Sequence, residues 1–386
     1  MYNVKLLNKI AKVGTDKLDP AVYNIGENVE NPDAIMVRSA VMHDMEFNPE
    51  LLCIARAGAG VNNIPVDRCA KEGIVVFNTP GANANGVKEL AICSLFLAAR
   101  KITAGIDWTK TLIGNPDAAK AVEKGKSAFA GTEIKGKTLG VIGLGAIGGM
   151  VANTAIDLGM TVYGCDPYLS VRAAWALDSH VKMAANFEDI YKTADYITLH
   201  VPATPATKNM ICAETIAMMK DGVKIINLAR ADLVNAEDMK AALASGKVSA
   251  YVTDFPTPDT IGVDGIITIP HLGASTEESE DNCAVMAAKE LDEYLTCGNI
   301  QNSVNFPNVV VPYTGLTRVC IFHDNIPEMI SKISGVFGEL KINIEHLNDQ
   351  SKGENAYTII DVSGDIPGAV VDKLIAIEGV NRVRVI

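Results

Sequence analysis

Basic charge, aromatic side chains and long uncharged apolar runs are all in short supply in this chain of 386 residues. Thirty-four Lys and Arg stand against 46 Asp and Glu, a formal net charge of −12. That deficit argues against a basic face for nucleic acid. It says little about small substrates, because a few converging arginines can hold an anion inside an acidic protein. The most apolar helical stretch starts near Val87, and Lys88, Glu89, Arg100 and Lys101 leave only residues 90–99 uncharged. Such a run is too short for a bilayer and reads as a buried helix. No basic-then-apolar leader opens the sequence, so a secretory signal is not expected. The cysteines, Cys53, Cys69, Cys93, Cys165, Cys212, Cys283, Cys297 and Cys320, include no CxxC pair. They read as reduced core residues of a cytoplasmic, metal-free protein.

Glycine is frequent, and the 48% hydrophobic content suffices for two or three cored domains. Strands are expected at 139–143, 161–165, 196–200, 223–227, 249–253 and 266–269, and helices at 147–158, 213–220 and 236–245. Short apolar runs alternating with longer amphipathic segments indicate a parallel sheet covered by helices. Residues 275–296 read as one helix, with Ser275 as N-cap and Glu277 and Glu278 in the first turn, where the dipole favours them. A polar linker follows. The order after it is strand 318–323, helix 327–338, strands 342–348 and 355–362, helix 367–377 and strand 381–386. This βαββαβ pattern predicts a ferredoxin-like module.

GLGAIG is the strongest local motif, with Gly143, Gly145 and Gly148 directly after the apolar run TLGVI. The first glycine permits a tight turn, the second lets a pyrophosphate approach the backbone, and the third allows close helix packing. The helix that follows offers free N–H groups and its positive end to phosphates. TVYGCD ends at Asp166, 23 residues beyond Gly143, near the spacing of a ribose-binding acid. That carboxylate would repel the additional phosphate of NADP. Pro167, Tyr168 and Leu169 supply no arginine to receive it, so NAD is favoured.

Later strand ends carry Arg230 after KIINLA, Asp254 after SAYVT, Asp259 in FPTPD and His271 after GIITIP. Alcohol oxidation needs a base for the hydroxyl proton, and histidine suits that role near neutral pH. A guanidinium can grip a substrate carboxylate in bidentate fashion. His200, which ends YITLH and precedes Val201 and Pro202, competes with His271 for the role, and periodicity does not decide between them.

VIGLGAIG, INLAR and IPHLGAST, in this order, resemble the signatures of the D-isomer-specific 2-hydroxyacid dehydrogenases, over nearly the whole chain. The likeness is greatest to the branch that carries a C-terminal ACT domain and oxidises 3-phosphoglycerate to 3-phosphonooxypyruvate with NAD. It implies a Rossmann-type nucleotide domain, residues 93–282, inserted into a flavodoxin-like substrate domain, residues 1–92 and 283–311. A ferredoxin-like ACT domain follows at 312–386. It assigns Arg230 to the substrate carboxylate, His271 to acid–base work and Asp259 to the carboxylate that orients the histidine. Aspartate stands there where glutamate is usual, and Ala231 stands where glycine is common. Arg38, Ser39, Arg56 and Asn83 match substrate-binding positions.

The cofactor set implied by the resemblance is Gly143, Gly145, Ala146, Ile147, Gly148, Asp166, His200, Val201, Pro202, Ala229, Arg230, Asp254, His271 and Gly273. His200 then packs beside the cofactor and transfers no proton. The ACT likeness places an L-serine site at His323, Asn325 and Asn343, and a homodimer or homotetramer is expected. Glu328 replaces a glycine of that pattern, so serine binding and a role in assembly alone both stay open. Rival readings are a broader reductase of hydroxypyruvate, glyoxylate or 2-oxoglutarate, a nonenzymatic NAD sensor, and a structural scaffold.

Overall fold

The computed structural model describes residues 1–386 and divides into two compact units. One joins residues 1–83 to 277–386, and the other is residues 84–276.

The first unit opens with β1 (Tyr2–Leu7), β2 (Tyr23–Gly26), β3 (Ala34–Val37), β4 (Cys53–Arg56) and β5 (Val75–Phe77). They form a parallel sheet in the order β2-β1-β3-β4-β5, the flavodoxin-like order. The helix Glu277–Cys297 covers this sheet, burying Ala284, Ala287, Leu291 and Tyr294 against Val4, Ala34, Cys53 and Phe77.

The second unit contains β6 (Thr138–Ile142), β7 (Thr161–Cys165), β8 (Lys182–Met183), β9 (Tyr196–Leu199), β10 (Val223–Asn227), β11 (Val248–Thr253) and β12 (Ile266–Thr268). All pair in parallel, in the order β12-β11-β10-β9-β6-β7-β8. Burial on both faces explains why β6 and β9 read as near-continuous apolar runs. The strand order reverses between β6 and β9, the point where doubly wound sheets open a crevice for ligands.

The last strands are β13 (Thr317–Asp324), β14 (Ile344–Lys352), β15 (Asn355–Val362) and β16 (Val380–Val385). Their antiparallel order, β14-β15-β13-β16, with helices Met329–Glu339 and Gly368–Ile375, is the expected ferredoxin-like arrangement.

The division of the chain differs from the expected one. A boundary at 92/93 would cut the helix Ala84–Ala99, whose Val87, Ala91 and Leu95 pack with Val151 and Ala152 of the second unit. The other boundary falls before Glu277, because the long helix belongs whole to the first unit's core. The C-terminal module does not stand apart from that unit either. Helices cover the sheet face that carries Val319, Ile321 and Ile360. The opposite face puts Cys320, Phe322, Tyr357 and Ile359 into the same core as Tyr294 and Phe306.

Candidate active site

The glycine loop has the backbone geometry that the expected roles require. Gly143 has φ +90, and a Cβ there would lie 2.5 Å from the His200 carbonyl oxygen. A Cβ at Gly148 would overlap the Gly143 carbonyl, whereas one at Gly145 meets nothing within 4 Å. Gly145 thus leaves the open approach that a pyrophosphate requires. It also N-caps the helix Ala146–Asp157 without a side-chain cap, so the first-turn N–H groups of Ala146 and Ile147 face that approach. Asp166 braces the loop: its Oδ2 accepts the Leu144 N–H at 2.9 Å and its Oδ1 accepts that of Tyr168 at 2.9 Å. Both oxygens keep a lone pair for ribose hydroxyls.

His200 ends β9. Burial pushes its imidazole down to about 4, so the ring is neutral at physiological pH, with Nε2 2.9 Å from the Thr198 hydroxyl. A neutral ring committed to a threonine suits packing better than proton transfer. Val201 and Pro202 continue from it along the loop's rim, and the Pro202 carbonyl accepts the Thr207 hydroxyl.

The chemical groups converge on β10, β11 and the residues after β12. Asn227, fully buried at the end of β10, accepts the N–H groups of Ala229 and Arg230 on Oδ1. Its Nδ2 donates to the Arg230 carbonyl at 2.8 Å. One amide therefore shapes the turn that presents the exposed Arg230 side chain. Ala231 opens a short 3-10 helix and is not among the positive-φ residues, so its methyl group is tolerated where glycine is common.

Phe255 carries Arg230 and His271 on one ring. The His271 ring centroid lies 4.7 Å from that of Phe255, and the Arg230 guanidinium carbon lies 5.7 Å from it. His271 itself has φ +52, a left-handed conformation uncommon outside glycine but one that histidine adopts more readily than most residues. Asp254, beside Phe255, is 1% exposed. Its Oδ2 accepts the Gly273 N–H at 3.1 Å, and a Cβ on Gly273 would come within 2.9 Å of that oxygen. Burial raises the Asp254 pKa, and the Gly273 N–H, His271 and Arg230 oppose the rise. Asp254 Oδ1 is buried without a protein partner, an acceptor that fits a donor on a bound ligand.

Asp259 is not brought to His271, and no hydrogen bond or ion pair joins them. It sits in a turn closed by Thr257 and Thr260, whose N–H groups bond to the Thr260 hydroxyl and the Thr257 carbonyl. From there it lines a 250 Å³ cavity with Lys208 and Asp232, and its charge acts on Lys240. A proline on each side of Thr257 restricts the backbone of this turn. Asp254 is the carboxylate whose field reaches His271. Sequence reasoning did not single out Asn227 and Phe255. The signal available for Asn227 was a lone amide closing a strand that is apolar but for Lys224.

The remaining candidates lie in the first unit. Arg38 is paired with Glu280 at 2.6 Å. The Ser39 N–H donates to Asn8 Oδ1, Arg56 Nε donates to the Arg38 carbonyl at 3.2 Å, and Asn83 is half-buried. In the C-terminal module, His323 is 2% exposed, with Nε2 near Asp349 Oδ1 and the Thr358 hydroxyl. It is an internal tie and not an open effector contact, a correction to the sequence expectation. Asn325 and Asn343 are exposed, at opposite ends of the sheet: Asp324 pairs with Asn355, while Ile344 pairs with Val362.

Residues 94–273 match the family model described as D-isomer specific 2-hydroxyacid dehydrogenase, NAD binding domain. A D-3-phosphoglycerate dehydrogenase of Methanocaldococcus jannaschii is 36% identical over 295 residues, 73% of this chain and 53% of that protein. One of Haemophilus influenzae is 31% identical over 89% of this chain and 83% of its own length. The chain thus spans about half of the first relative and most of the second. The crystal structure of an NAD+-bound 3-phosphoglycerate dehydrogenase of Entamoeba histolytica is similar with a TM-score of 0.61. It is 25% identical over 79% of this chain and 98% of that one.

Proposed function

The chain belongs to the D-isomer-specific 2-hydroxyacid dehydrogenase family, and on that premise we propose that it oxidises 3-phosphoglycerate to 3-phosphonooxypyruvate with NAD, reversibly, at the entry to L-serine formation. The observation that carries this reading is Arg230 and His271 against the one Phe255 ring, beside the buried Asp254. Bound NAD supplies the acceptor for the C2 hydride. Gly143, Gly145, Gly148 and the first-turn amides hold its pyrophosphate, Asp166 its ribose, and Asp254 a polar donor of the nicotinamide end.

Arg230 binds the substrate carboxylate. His271 takes the C2 hydroxyl proton as the C–O bond gains double-bond character, and the Asp254 field stabilises the imidazolium that forms. In reverse, the protonated His271 returns that proton to the carbonyl oxygen. Holding these groups before the reaction removes reorganisation from the barrier. The same reading gives Arg38, Ser39, Arg56 and Asn83 to the substrate. Because Asn325 and Asn343 lie at opposite ends of one sheet, an L-serine site using both draws its halves from two copies, so we also propose a homo-oligomer. No helix is long and apolar enough to cross a membrane, and a cytoplasmic location goes with this role.

The Arg38–Glu280 pair favours a second reading, a broader 2-oxo acid reductase, since an arginine already neutralised attracts a phosphate less. NADH formation with 3-phosphoglycerate, D-glycerate, D-lactate and 2-hydroxyglutarate, each with NAD and NADP, separates the two. Strong selectivity for 3-phosphoglycerate with NAD is expected. A flat profile moves the activity to the reductase, and no turnover contradicts both.

A further inference from the structure

The β5 edge of the first unit's sheet is covered by residues 302–306. Phe77 and Ser303 form an antiparallel bridge, and the Val304 N–H donates to the Val76 carbonyl at 2.9 Å. The Asn78 N–H donates to the Asn302 carbonyl at 3.4 Å. Asn305, 5% exposed, completes the pairing with its side chain. Its Oδ1 accepts the Val76 N–H at 2.9 Å, and its Nδ2 donates to the Ile74 carbonyl at 2.8 Å. The Ser303 hydroxyl donates to Asn305 Oδ1 at 3.0 Å, which fixes the amide's orientation.

The C-terminal module grips this strap from the other side. Lys352 Nζ donates to the Ser303 carbonyl at 2.8 Å, and Asn355 Nδ2 donates to the Asn305 carbonyl at 3.0 Å. Partial burial lowers the Lys352 pKa, because it disfavours the charged form. Both residues flank the turn between β14 and β15. On the far side of the strap, β5 runs directly into residues 78–83, the segment that ends in Asn83. Asn78 and Pro80 line a cavity of 610 Å³ with Asn302, Ser303 and Lys352. Besides the strap, the start of this segment is held by Asn78 Nδ2, which donates to the Ala59 carbonyl at 2.6 Å, and by the Thr79 N–H, which donates to the Gly58 carbonyl at 3.1 Å.

We propose that the C-terminal module positions residues 78–83 through this strap, with Asn305 as the positioning residue and Lys352 and Asn355 as the grips. The module then sets substrate affinity directly, whether or not it binds an effector. The structural half stands on the geometry alone, and the consequence for substrate rests on the function proposed above.

The test uses the full chain with Lys352→Ala and Asn355→Ala combined, both away from the reacting groups. Amide exchange at Val76 and Asn78 is expected to accelerate by about tenfold or more. KM for 3-phosphoglycerate is expected to rise about threefold or more, with kcat and the KM for NAD unchanged. Lys352→Arg should retain both properties, as its longer donor still reaches the carbonyl. Unchanged exchange overturns the proposal, and so does faster exchange with an unchanged KM. If the wild type does not turn over 3-phosphoglycerate, the proposed function fails, while exchange still decides whether the module holds the segment.

Discussion

Asp254 and Asp259 carry the same side chain five positions apart, and their surroundings give them different work. Asp254 is buried beside His271 and tied to the Gly273 amide, whereas Asp259 faces Lys240 from a threonine-closed turn. The family resemblance pointed to Asp259, because it lies nearest the place where the family has glutamate. What the resemblance does not carry is which groups a proline-bounded loop sets around its carboxylate. Loss of the Asp254 charge by Asp254→Asn should lower kcat/KM by about tenfold to a hundredfold and alter its pH profile. Asp259→Asn should leave kcat/KM within about twofold. The opposite order in steady-state kinetics would return the orienting role to Asp259. The turn geometry of the three glycines was legible, since the motif states it, whereas the choice of His271 over His200 rested on the family resemblance. Phe255 was not legible, because a ring that two separate segments share leaves no local pattern.

At the scale of elements, every expected strand of the nucleotide unit and every element of the C-terminal module is present, with ends displaced by a few residues. Apolar runs between turn residues survive folding because burial on both faces demands them. The long helix begins at Glu277, two residues after Ser275, whose hydroxyl instead faces the His271 carbonyl at 3.4 Å. The sequence marked Glu328 as a substitution for glycine, and the structure supplies the reason. The residue caps the helix Met329–Glu339 with φ +71, where a side chain costs about 1–2 kcal/mol. Glycine regains part of that cost in unfolded-chain entropy. Glu328→Gly is therefore expected to stabilise by about 0.5–1 kcal/mol in urea unfolding. A loss of stability would show that the carboxylate makes a compensating contact.

The helix Glu277–Cys297 also holds a titratable group inside the first unit. Burial raises the Glu290 carboxyl to about 8, against an opposing hydrogen bond from Asn302 at 2.7 Å. Its Oε2 has no protein partner, and Lys289 and Glu293 line the same small cavity. Because the folded pKa is raised, the folded state holds more protons than the unfolded one between about 4.5 and 8. The contribution to stability is full below this window and declines as pH rises through it. Glu290→Gln cannot titrate, so its Tm should match wild type near pH 5 and exceed it by several degrees above pH 8. Parallel Tm profiles would contradict the assignment.

At the scale of the whole molecule, the surprise is how fully the C-terminal module belongs to the first unit. Its polar linker suggested a separate body. The contrary signal is in β13 and β15, which are apolar on consecutive positions where a sheet with one wet face would alternate. Buried Arg318 pairs with Asp361 at 2.7 Å and donates to the Cys297, Val311 and Pro312 carbonyls. Arg384 donates to the Tyr294 and Leu295 carbonyls, and Arg382 to those of Pro49 and Leu51. Three arginines thus stitch backbone to backbone across a shared apolar core, which no linear pattern announces.

In the function proposed above, this architecture serves one chemical step, and that step depends on His271. The most direct measurement is therefore the kcat of His271→Asn with 3-phosphoglycerate at saturating NAD, alongside NAD binding by the same protein. A fall of about 10²–10⁴ in kcat, with NAD affinity held within about twofold, is the predicted result. Turnover near that of the wild type would contradict the account and leave the proton with another group.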